Sequence, residues 1–428
     1  MLAPLLAVLG LAASSACGDE SHPAAPEAKL AKSALSRLTT PSTADVSSLG
    51  ASNSAFAFDL YHQIATHSAN ENLLFSPYSI SSAFAMTYAG ARGATESELK
   101  TALHFDLGQA GLHEAFNATD LALASRGQGK AGADGTPFKL HIDNALWAGT
   151  ANSVLPTYLD TLAVNYGAGV FVVPFSDPDA ARAVINGWVS DQTEKLIPEL
   201  LPVGSITART DLVLTNTVYL DASWQSQFEP SRTHDADFTK SDGTKVKAAM
   251  MNAMLSAPYF KGNGFSAVAL PYADDRLRMV AILPDEGKLQ TIEDALDADW
   301  FATLAASLSP QQLALSLPKL DYRATTDLIP ALKALGVHDA FELGLADFSA
   351  ITGSRGMGIS GVFHQAALEA SEAGTIAAAA TAVVFAHKSA DVASGLPLTF
   401  DRPFFLAIVD QPTDTILFLG RVLDPTAP

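Results

Sequence analysis

"EAGTIAAAATAVVF", residues 372–385, is the stretch that most narrows the choice of fold. After Glu372 it contains only small or apolar residues and no proline, which is typical of a buried strand or an aggregation-prone segment. The residues that follow, "AHKSADVASGLPL" (386–398), have the glycine and serine content of an exposed loop. The chain therefore places a segment able to form a strand directly beside a loop.

The composition of the whole chain indicates a large folded protein. Of the 428 residues, 48% are apolar and 17% are charged, so a large core can form and general disorder is not expected. The 45 acidic and 26 basic residues give a net charge of −19. Because no cluster of lysine and arginine interrupts this acidic character, we expect neither a nucleic-acid partner nor a basic patch for sulfated polysaccharides.

The N-terminal stretch "MLAPLLAVLGLAASSAC" (1–17) is typical of a secretory signal and is too short to span a membrane. Cys17 is the only cysteine, which excludes disulfides within the chain and thiolate metal sites. Its position resembles the lipobox of bacterial lipoproteins, which implies a lipidated Cys17. An ordinary signal peptide is the alternative, because Ser14 replaces the usual leucine and no basic residue precedes it. Both alternatives place the mature protein outside the cytoplasm.

Composition also predicts the division of the chain into parts. Residues 18–52 are rich in alanine, serine, proline and threonine and predict a flexible linker. Residues 53–428 contain no internal repeat and no break in composition, so we expect one large domain there.

Hydrophobic periodicity and capping residues predict the secondary structure of this domain. Helices are predicted at 53–66, 76–91, 94–105, 180–197 and 326–337, and strands at 141–148, 211–220, 265–272, 277–284 and 312–320. Ser76 and Pro77 predict a helix start, Thr95 and Glu98 predict a capping box, and Gly336 predicts a helix end. The tail predicts a hairpin that turns through 411–414. Helices come early and strands late, which favours an α+β fold over a doubly wound parallel sheet.

Motifs of the common catalytic classes are missing from the sequence. There is no GxSxG, HExxH, P-loop or GxGxxG motif, so we expect no enzyme, no cofactor and no metal. "HEAFN" (113–117) lacks the second histidine of a zinc helix, and His113 is predicted to lie on the surface. The acidic stretches 235–245 and 270–276 lack the spacing of a calcium loop and predict solvated turns.

Five stretches, taken in order, resemble the serpin family of serine protease inhibitors. They are "FSPYSISSAFAMTYAGARGAT" (75–95), "LTNTVYLDASWQSQF" (214–228), "LPDEGKLQTIED" (283–294), "VFHQAALEASEAGTIAAAAT" (362–381) and "RPFFLAIVDQPTDTILFLGRVLDP" (402–425). The resemblance covers about 53–428. It implies the serpin fold, with three β-sheets, about eight or nine helices and an exposed reactive-centre loop.

The resemblance also implies roles for individual residues. Ser76 and Ser79 match the paired serines beneath the main sheet, where two strands part. Asn216 and His364 match the polar residues that bridge those strands. Trp224 matches the tryptophan at the end of the sheet where the loop first enters. Without the resemblance, a lone His364 among apolar neighbours would be interpreted as an ordinary core histidine.

The quoted segment has the composition that loop insertion into the sheet requires. By resemblance, the hinge includes Glu372 and Gly374. From Thr375 onward, every second side chain would face the core after insertion. These inward residues are Thr375, Ala377, Ala379, Thr381 and Val383, none of which is charged. The absence of proline leaves every backbone donor available.

The resemblance implies a suicide-substrate inhibitor that forms a covalent acyl-enzyme complex with a serine protease and works as a monomer. The family's usual spacing places the cleaved bond between Lys388 and Ser389, which predicts a trypsin-like target. A shifted cut at Phe385, Ala386 or Ser389 would suit chymotrypsin-like or elastase-like enzymes. Cysteine proteases are a further alternative target. A non-inhibitory serpin with a binding or structural role is the main rival, although such members usually have bulky, charged or proline residues in the hinge.

Overall fold

Ten α-helices and sixteen β-strands form in the residues that the computed structural model describes, which are 28–41, 45–128, 138–150, 153–375 and 395–427. The helices are α1 (Val46–His67), α2 (Pro77–Tyr88), α3 (Gly93–Ala102), α4 (Gly108–Ala124), α5 (Pro156–Tyr166), α6 (Pro178–Gln192), α7 (Leu289–Glu293), α8 (Ala298–Ser307), α9 (Ile329–Ala334) and α10 (Ser349–Thr352). The strands are β1 (Lys29–Ala31), β2 (Leu73–Phe75), β3 (Lys139–Gly149), β4 (Val170–Val173), β5 (Leu212–Ser223), β6 (His234–Thr239), β7 (Lys245–Gly262), β8 (Phe265–Pro271), β9 (Leu277–Pro284), β10 (Ser309–Pro318), β11 (Leu320–Asp327), β12 (Ile359–Ala370), β13 (Gly374–Thr375), β14 (Leu396–Thr399), β15 (Phe404–Asp410) and β16 (Thr415–Val422).

Seven strands form the main sheet, in the order β1-β4-β3-β5-β13-β12-β11. Strands β3 and β4 are parallel and are connected by the crossover helix α5. Strands β5 and β12 are also parallel and lie at the centre of the sheet. Strand β5 is buried along its whole length, which explains its nearly continuous run of apolar and β-branched residues.

A second sheet has the strand order β14-β10-β7-β8-β9-β15-β16-β2, with β6 attached to β7. Strand β7 is 18 residues long and joins two groups of strands. It pairs with β6 and β10 over most of its length and with β8 at its end. Two of the three predicted sheets are therefore connected through one long strand, and the α+β class is confirmed.

Two hydrophobic clusters lie on opposite faces of the main sheet. The larger one involves α1, α2 and the second sheet, and the smaller one lies between the main sheet and α6. Strand β3 contributes to both, with Leu146 in the larger cluster and Trp147 in the smaller one. This division follows from the alternation of side chains along a strand.

The predicted start of α2 is confirmed. The Ser76 side chain accepts a hydrogen bond from the Ser79 amide at 3.3 Å, and Pro77 is the first helical residue. The predicted tail hairpin also forms, with β15 and β16 joined through a short turn in which Asp414 has a φ of 51°.

The capping box predicted for α3 is wrong. The helix begins at Gly93, so Thr95 and Glu98 both lie inside it. The Thr95 hydroxyl accepts a hydrogen bond from the Asp347 amide at 3.0 Å. Glu98 accepts hydrogen bonds from two backbone amides of a neighbouring segment, each at 2.8 Å. Tertiary contacts therefore use the side chains that a local cap would have used.

Two further sequence predictions are corrected. His113 is buried, not exposed; its ring accepts a hydrogen bond from the Tyr166 hydroxyl at 2.7 Å and donates one to Gln109 at 3.0 Å. Burial lowers the pKa of His113 to about 4. Helix α9 is shorter than predicted, because the residues before it belong to β11.

The N-terminal residues differ from the flexible linker predicted for 18–52. Strand β1 pairs antiparallel with β4 at the edge of the main sheet, and α1 begins at Val46 rather than at Asn53. Composition did not predict β1 because a strand of three residues has no periodicity of its own. It forms on the free edge that β4 provides.

Candidate functional site

The boundary between β5 and β12, called the central seam below, changes character along its length. From Leu212 to Val218, β5 pairs directly with β12 in a parallel ladder. Beyond Val218 no register pair joins the two strands in the described residues. Instead β13 lies between their ends, antiparallel to both, with Thr375 opposite Ala222 on β5 and Ala370 on β12.

Residues 371–375, called the hinge below, form a tight turn that returns the chain into this gap. The Ser371 amide donates a hydrogen bond to the Gly374 carbonyl at 2.8 Å, which closes the turn. Gly374 lies so close to the backbone of Ala222 and Ser223 that a Cβ atom would collide with both. Glycine is therefore required here for close approach of two backbones.

Trp224 holds the hinge from the end of β5. Its amide donates to the Ala373 carbonyl at 2.9 Å, and its indole Nε1 donates to the Ser371 carbonyl at 2.9 Å. The amide of Phe228 donates to the Glu372 carbonyl, also at 2.9 Å. Three consecutive hinge carbonyls are thus bound by one short segment of the chain.

Thr375 lies in the core at the end of the seam. Its side chain is buried, and its hydroxyl shares a hydrogen bond of 2.7 Å with the Tyr272 hydroxyl. The rings of Tyr272 and Trp224 stack at 4.7 Å with an interplanar angle of 13°. Burial raises the pKa of Tyr272 well above its ordinary value, so the phenol stays protonated at neutral pH.

Glu372 forms an ion pair at the outer side of the hinge. Its carboxylate lies 2.9 Å from Lys319 Nζ, and it accepts a hydrogen bond from the Thr233 hydroxyl at 2.8 Å. Burial alone would raise the pKa of Glu372, but the bonds from Lys319 and Thr233 lower it below the ordinary value. The hinge is therefore fixed by charge as well as by backbone bonds.

A row of polar residues crosses the main sheet near the point where the seam opens. Asn144 on β3 is opposite Asn216 on β5, which is opposite His364 on β12. Ser76, the N-cap of α2, and Ser79 in its first turn bind this row from below. The Ser76 amide donates to His364 Nε2 at 2.9 Å, and the Ser79 hydroxyl donates to Asn144 at 2.9 Å.

The hydrogen bonds of His364 determine its tautomer. Because Nε2 accepts from the Ser76 amide, the proton lies on Nδ1 and is donated to the Asn216 side-chain oxygen. Burial lowers the pKa of His364 to about 3, so the ring is neutral at physiological pH. Protonation would put a charge in the core and remove the acceptor for the Ser76 amide.

The structure brings the predicted site residues together in two groups. Glu372, Gly374, Thr375 and Trp224 form the hinge group, and Ser76, Ser79, Asn216 and His364 form the polar row. Ala377, Ala379, Thr381, Lys388, Ser389 and Cys17 lie outside the described residues. The sequence analysis missed Asn144, Thr233, Tyr272 and Lys319, which come from four other parts of the chain.

The described part of the chain contains neither a candidate metal site nor a membrane-spanning helix. Histidine, cysteine, aspartate and glutamate side chains form no group of three or more there that could hold a metal ion. No helix within these ranges has both the length and the apolar character needed to cross a membrane.

Comparisons with known proteins agree with this architecture. The family model Serpin (serine protease inhibitor) matches residues 51–425. Serpin A3-3 of Bos taurus is 34% identical over 396 residues, which cover 89% of this chain and 90% of that protein. Leukocyte elastase inhibitor A of Rattus norvegicus is 33% identical over 392 residues, covering 88% of this chain and 99% of that protein.

Solved structures lead to the same class. Human thyroxine-binding globulin, in complex with thyroxine, superposes with a TM-score of 0.80 at 29% identity and covers 90% of this chain and 100% of its own. The chain belongs to the serpin family. Members of this family are generally protease inhibitors, and some are not inhibitory.

Proposed function

We propose that this protein is a suicide-substrate inhibitor of extracellular serine proteases of the trypsin class, cut between Lys388 and Ser389. The position of Thr375 is the observation that carries the proposal. Thr375 lies between β5 and β12, antiparallel to both, with its side chain in the core. A strand that continued from Thr375 along the seam would gain hydrogen bonds on both edges, as serpin loops are known to do.

The sequence after Thr375 supports such an extension. Alternate residues would face the core from Thr375 onward, and those at 377, 379, 381 and 383 are alanine, threonine or valine. Their burial carries no cost for desolvating a charge. The fourteen steps from Gly374 to Lys388 span about 46 Å when extended, which is long enough to carry a bound protease across a sheet of this size.

The chemistry belongs to the protease, and the chain supplies the bond and the strand. The protease serine attacks the Lys388 carbonyl carbon, and its proton passes through the protease histidine to the nitrogen of Ser389. The peptide bond breaks and an ester to Lys388 forms. Insertion of the freed strand then moves the protease before water can hydrolyse this ester. The inhibitor needs no catalytic residue, metal or cofactor of its own and acts as a monomer.

The N-terminus supports action outside the cytoplasm. We propose that residues 1–17 direct export and that Cys17 carries a lipid anchor, because its position resembles a lipobox. Expression of the full chain in a bacterium tests this, since a lipidated protein should be found in the membrane fraction. Cys17→Ser should accumulate as an unprocessed precursor, whereas normal processing of this variant would indicate an ordinary signal peptide.

Incubation with trypsin, chymotrypsin and elastase tests the proposed target. We expect an SDS-stable complex with trypsin and a released C-terminal peptide that begins at Ser389. Lys388→Ala should abolish this complex, and Lys388→Arg should keep it because both side chains suit an acidic specificity pocket. A stable complex only with elastase or chymotrypsin would overturn the assignment of Lys388.

A binding role is the rival, since thyroxine-binding globulin shares this fold and was solved with thyroxine. The same incubation separates the two functions. A non-inhibitory serpin would be cleaved by all three proteases without forming a complex.

A further inference from the structure

Residues 28–38 lie outside the part of the chain that the serpin family model matches, which begins at residue 51. Nevertheless, they are fitted to the body of the protein. Strand β1 extends the edge of the main sheet, and Gly169, just before β4, leaves room for it. A Cβ atom at Gly169 would collide with the carbonyl oxygen of Ala31.

The end of this segment binds two helices at once. The Leu38 amide donates to the Val164 carbonyl in α5 at 2.9 Å, and the Leu38 carbonyl accepts from Asn117 in α4 at 2.8 Å. Arg37 donates to the Asn117 side-chain oxygen at 2.7 Å and pairs with Asp120 of α4 at 3.2 Å. Since adjacent residues bind both helices, α4 and α5 cannot move apart without breaking these bonds.

Loop insertion would require such a movement. Helix α5 connects β3 to β4 and therefore moves with that half of the main sheet. Helix α4 packs on α5, where the Tyr166 hydroxyl binds His113, and also on α2 beneath the sheet, where the Tyr78 hydroxyl donates to Asp120 at 2.5 Å. The contact with α2 holds α4 to the part of the protein that does not carry β3 and β4. A strand that enters between β5 and β12 displaces β5, β3 and β4 by about 4.8 Å, the spacing of neighbouring strands.

We propose that residues 28–38, called the strap below, hold the main sheet closed and slow loop insertion in the intact protein. The inference rests on the proposed function, because it presupposes that the loop inserts. Strand β1 can follow β4 when the sheet expands, but the bonds of Arg37 and Leu38 cannot stay on both helices. The strap therefore stabilises the resting form more than the loop-inserted form.

Two substitutions in the full chain test the strap at its two ends, at β1 and at Arg37. Gly169→Ala pushes the strap away from the body, and Arg37→Ala removes its charged bonds to α4. Gly344→Ala is the matched control, because Gly344 is exposed in a turn and a Cβ atom there meets nothing within 4 Å. The measurements are the rate at which intact protein, warmed without protease, loses its ability to form the trypsin complex, and the melting midpoint of the loop-cleaved form.

We expect both variants to lose activity about tenfold faster than wild type, which corresponds to about 1.4 kcal/mol in the barrier. The control should match wild type, and the cleaved forms should melt at the same temperature. Unchanged rates, or equal destabilisation of intact and cleaved forms, would overturn the strap while leaving the inhibitor function intact. If wild type forms no complex and gains no stability on cleavage, the proposed function fails and the strap fails with it.

Discussion

The two ends of the central seam carry the same two strands in different states. At one end, β5 and β12 are bonded to each other from Leu212 to Val218 and are covered by α6 through Phe363 and its neighbours. At the other end, the same strands are separated and the hinge occupies the gap. Under the proposed function, the sheet would open from the hinge end.

The polar row lies close to the transition between these two states. Asn216 and His364 form one of the last direct pairs before the strands separate, and α2 binds the row from below. Apolar packing alone would resist the separation of β5 and β12 about equally along the seam. The directional hydrogen bonds of the polar row add resistance at one position. Opening beyond this row therefore requires the exchange of defined bonds.

Replacing Thr375 with arginine should destroy the difference between the two ends. The guanidinium would have to enter the pocket beside Tyr272, at a cost of about 3–5 kcal/mol for an unpaired buried charge. We expect a folded protein that trypsin cleaves as a substrate, without complex formation. Thr375→Ser, which keeps the hydroxyl for Tyr272, should retain most of the inhibition. Full complex formation by the arginine variant would contradict the role of the seam.

After cleavage of the reactive loop, the freed strand should insert along the whole seam. Strands β5 and β12 would then be separated over their full length, as they already are at the hinge. The inserted strand would gain backbone hydrogen bonds and burial, so the nicked protein should be more stable although one peptide bond is lost. We expect its melting midpoint to rise by more than about 10 °C, equivalent to several kcal/mol in a protein of this size. Thermal unfolding of intact and nicked samples measures this rise. An equal or lower midpoint after cleavage would mean that the two ends are unrelated to insertion.

Acid should weaken the closed end through His364. Its pKa is about 3 in the fold and 6.5 ordinarily, so the unfolded chain binds the proton first and stability falls as pH decreases from 6.5 towards 3. His364→Gln should remove up to about 1.4 kcal/mol per pH unit from the slope of unfolding free energy against pH. Denaturant unfolding between pH 7 and 4 measures the slope, and a slope identical to wild type would exclude His364 as the titrating group.

His113 is the control for this experiment, because burial lowers its pKa to about 4 at a site far from the seam in sequence. His113→Gln should reduce the slope in the same pH range but should change complex formation with trypsin less than His364→Gln does, because its ring binds Tyr166 and not the central seam. His364→Gln should change both.

Reversing the charge of Glu372 should loosen the hinge from outside. Glu372→Lys places a second positive charge beside Lys319 in place of the ion pair. It also removes the acceptor for the Thr233 hydroxyl. Because Lys319 is partly exposed, we expect a loss of only about 1–2 kcal/mol in the unfolding free energy of the intact protein. Adding Lys319→Glu should restore part of it. If the single and double variants are equally destabilised, the ion pair does not hold the hinge.

Removing one hydroxyl should produce the smallest effect. Tyr272→Phe leaves the ring stacked on Trp224 but deletes the bond to Thr375, which should cost about 1 kcal/mol. The variant should still form the trypsin complex. Tyr259→Phe, which removes a longer hydroxyl contact of 3.3 Å to Ser266, is a suitable control expected to melt like wild type. Equal midpoints for the two variants would show that Thr375 is held by packing alone.

The sequence predicted those parts of the site that lie in continuous motifs. Asn216 and His364 could be assigned because each lies within a stretch that resembles a signature of the family. Asn144, Tyr272 and Lys319 could not be, because they reach the site only through strand pairing and packing between distant segments. Local signals failed where tertiary contacts competed, as at Thr95, whose hydroxyl binds Asp347 instead of capping its own helix.

The edge of the main sheet was missed for a related reason. Residues 29–31 have no strand periodicity, and the bonds that hold Arg37 and Leu38 come from α4 and α5. The composition of residues 18–52 shows that the stretch is rich in alanine, serine, proline and threonine. It carries no information about the free edge of β4, with which β1 pairs.

The contact between Trp224 and the hinge also gives the protein an internal optical probe. Of the four tryptophans, Trp188 of α6 packs against Trp147 of β3, and Trp300 packs against Phe265. Trp224 is the one whose indole is bonded to the hinge. Its indole is buried, stacked on a phenol ring and bonded to a carbonyl, and each of these features affects the energy and yield of fluorescence. Departure or deeper insertion of the hinge would change the carbonyl bond and the burial of the indole. The emission of this single residue can therefore follow the loop in real time, in unlabelled protein.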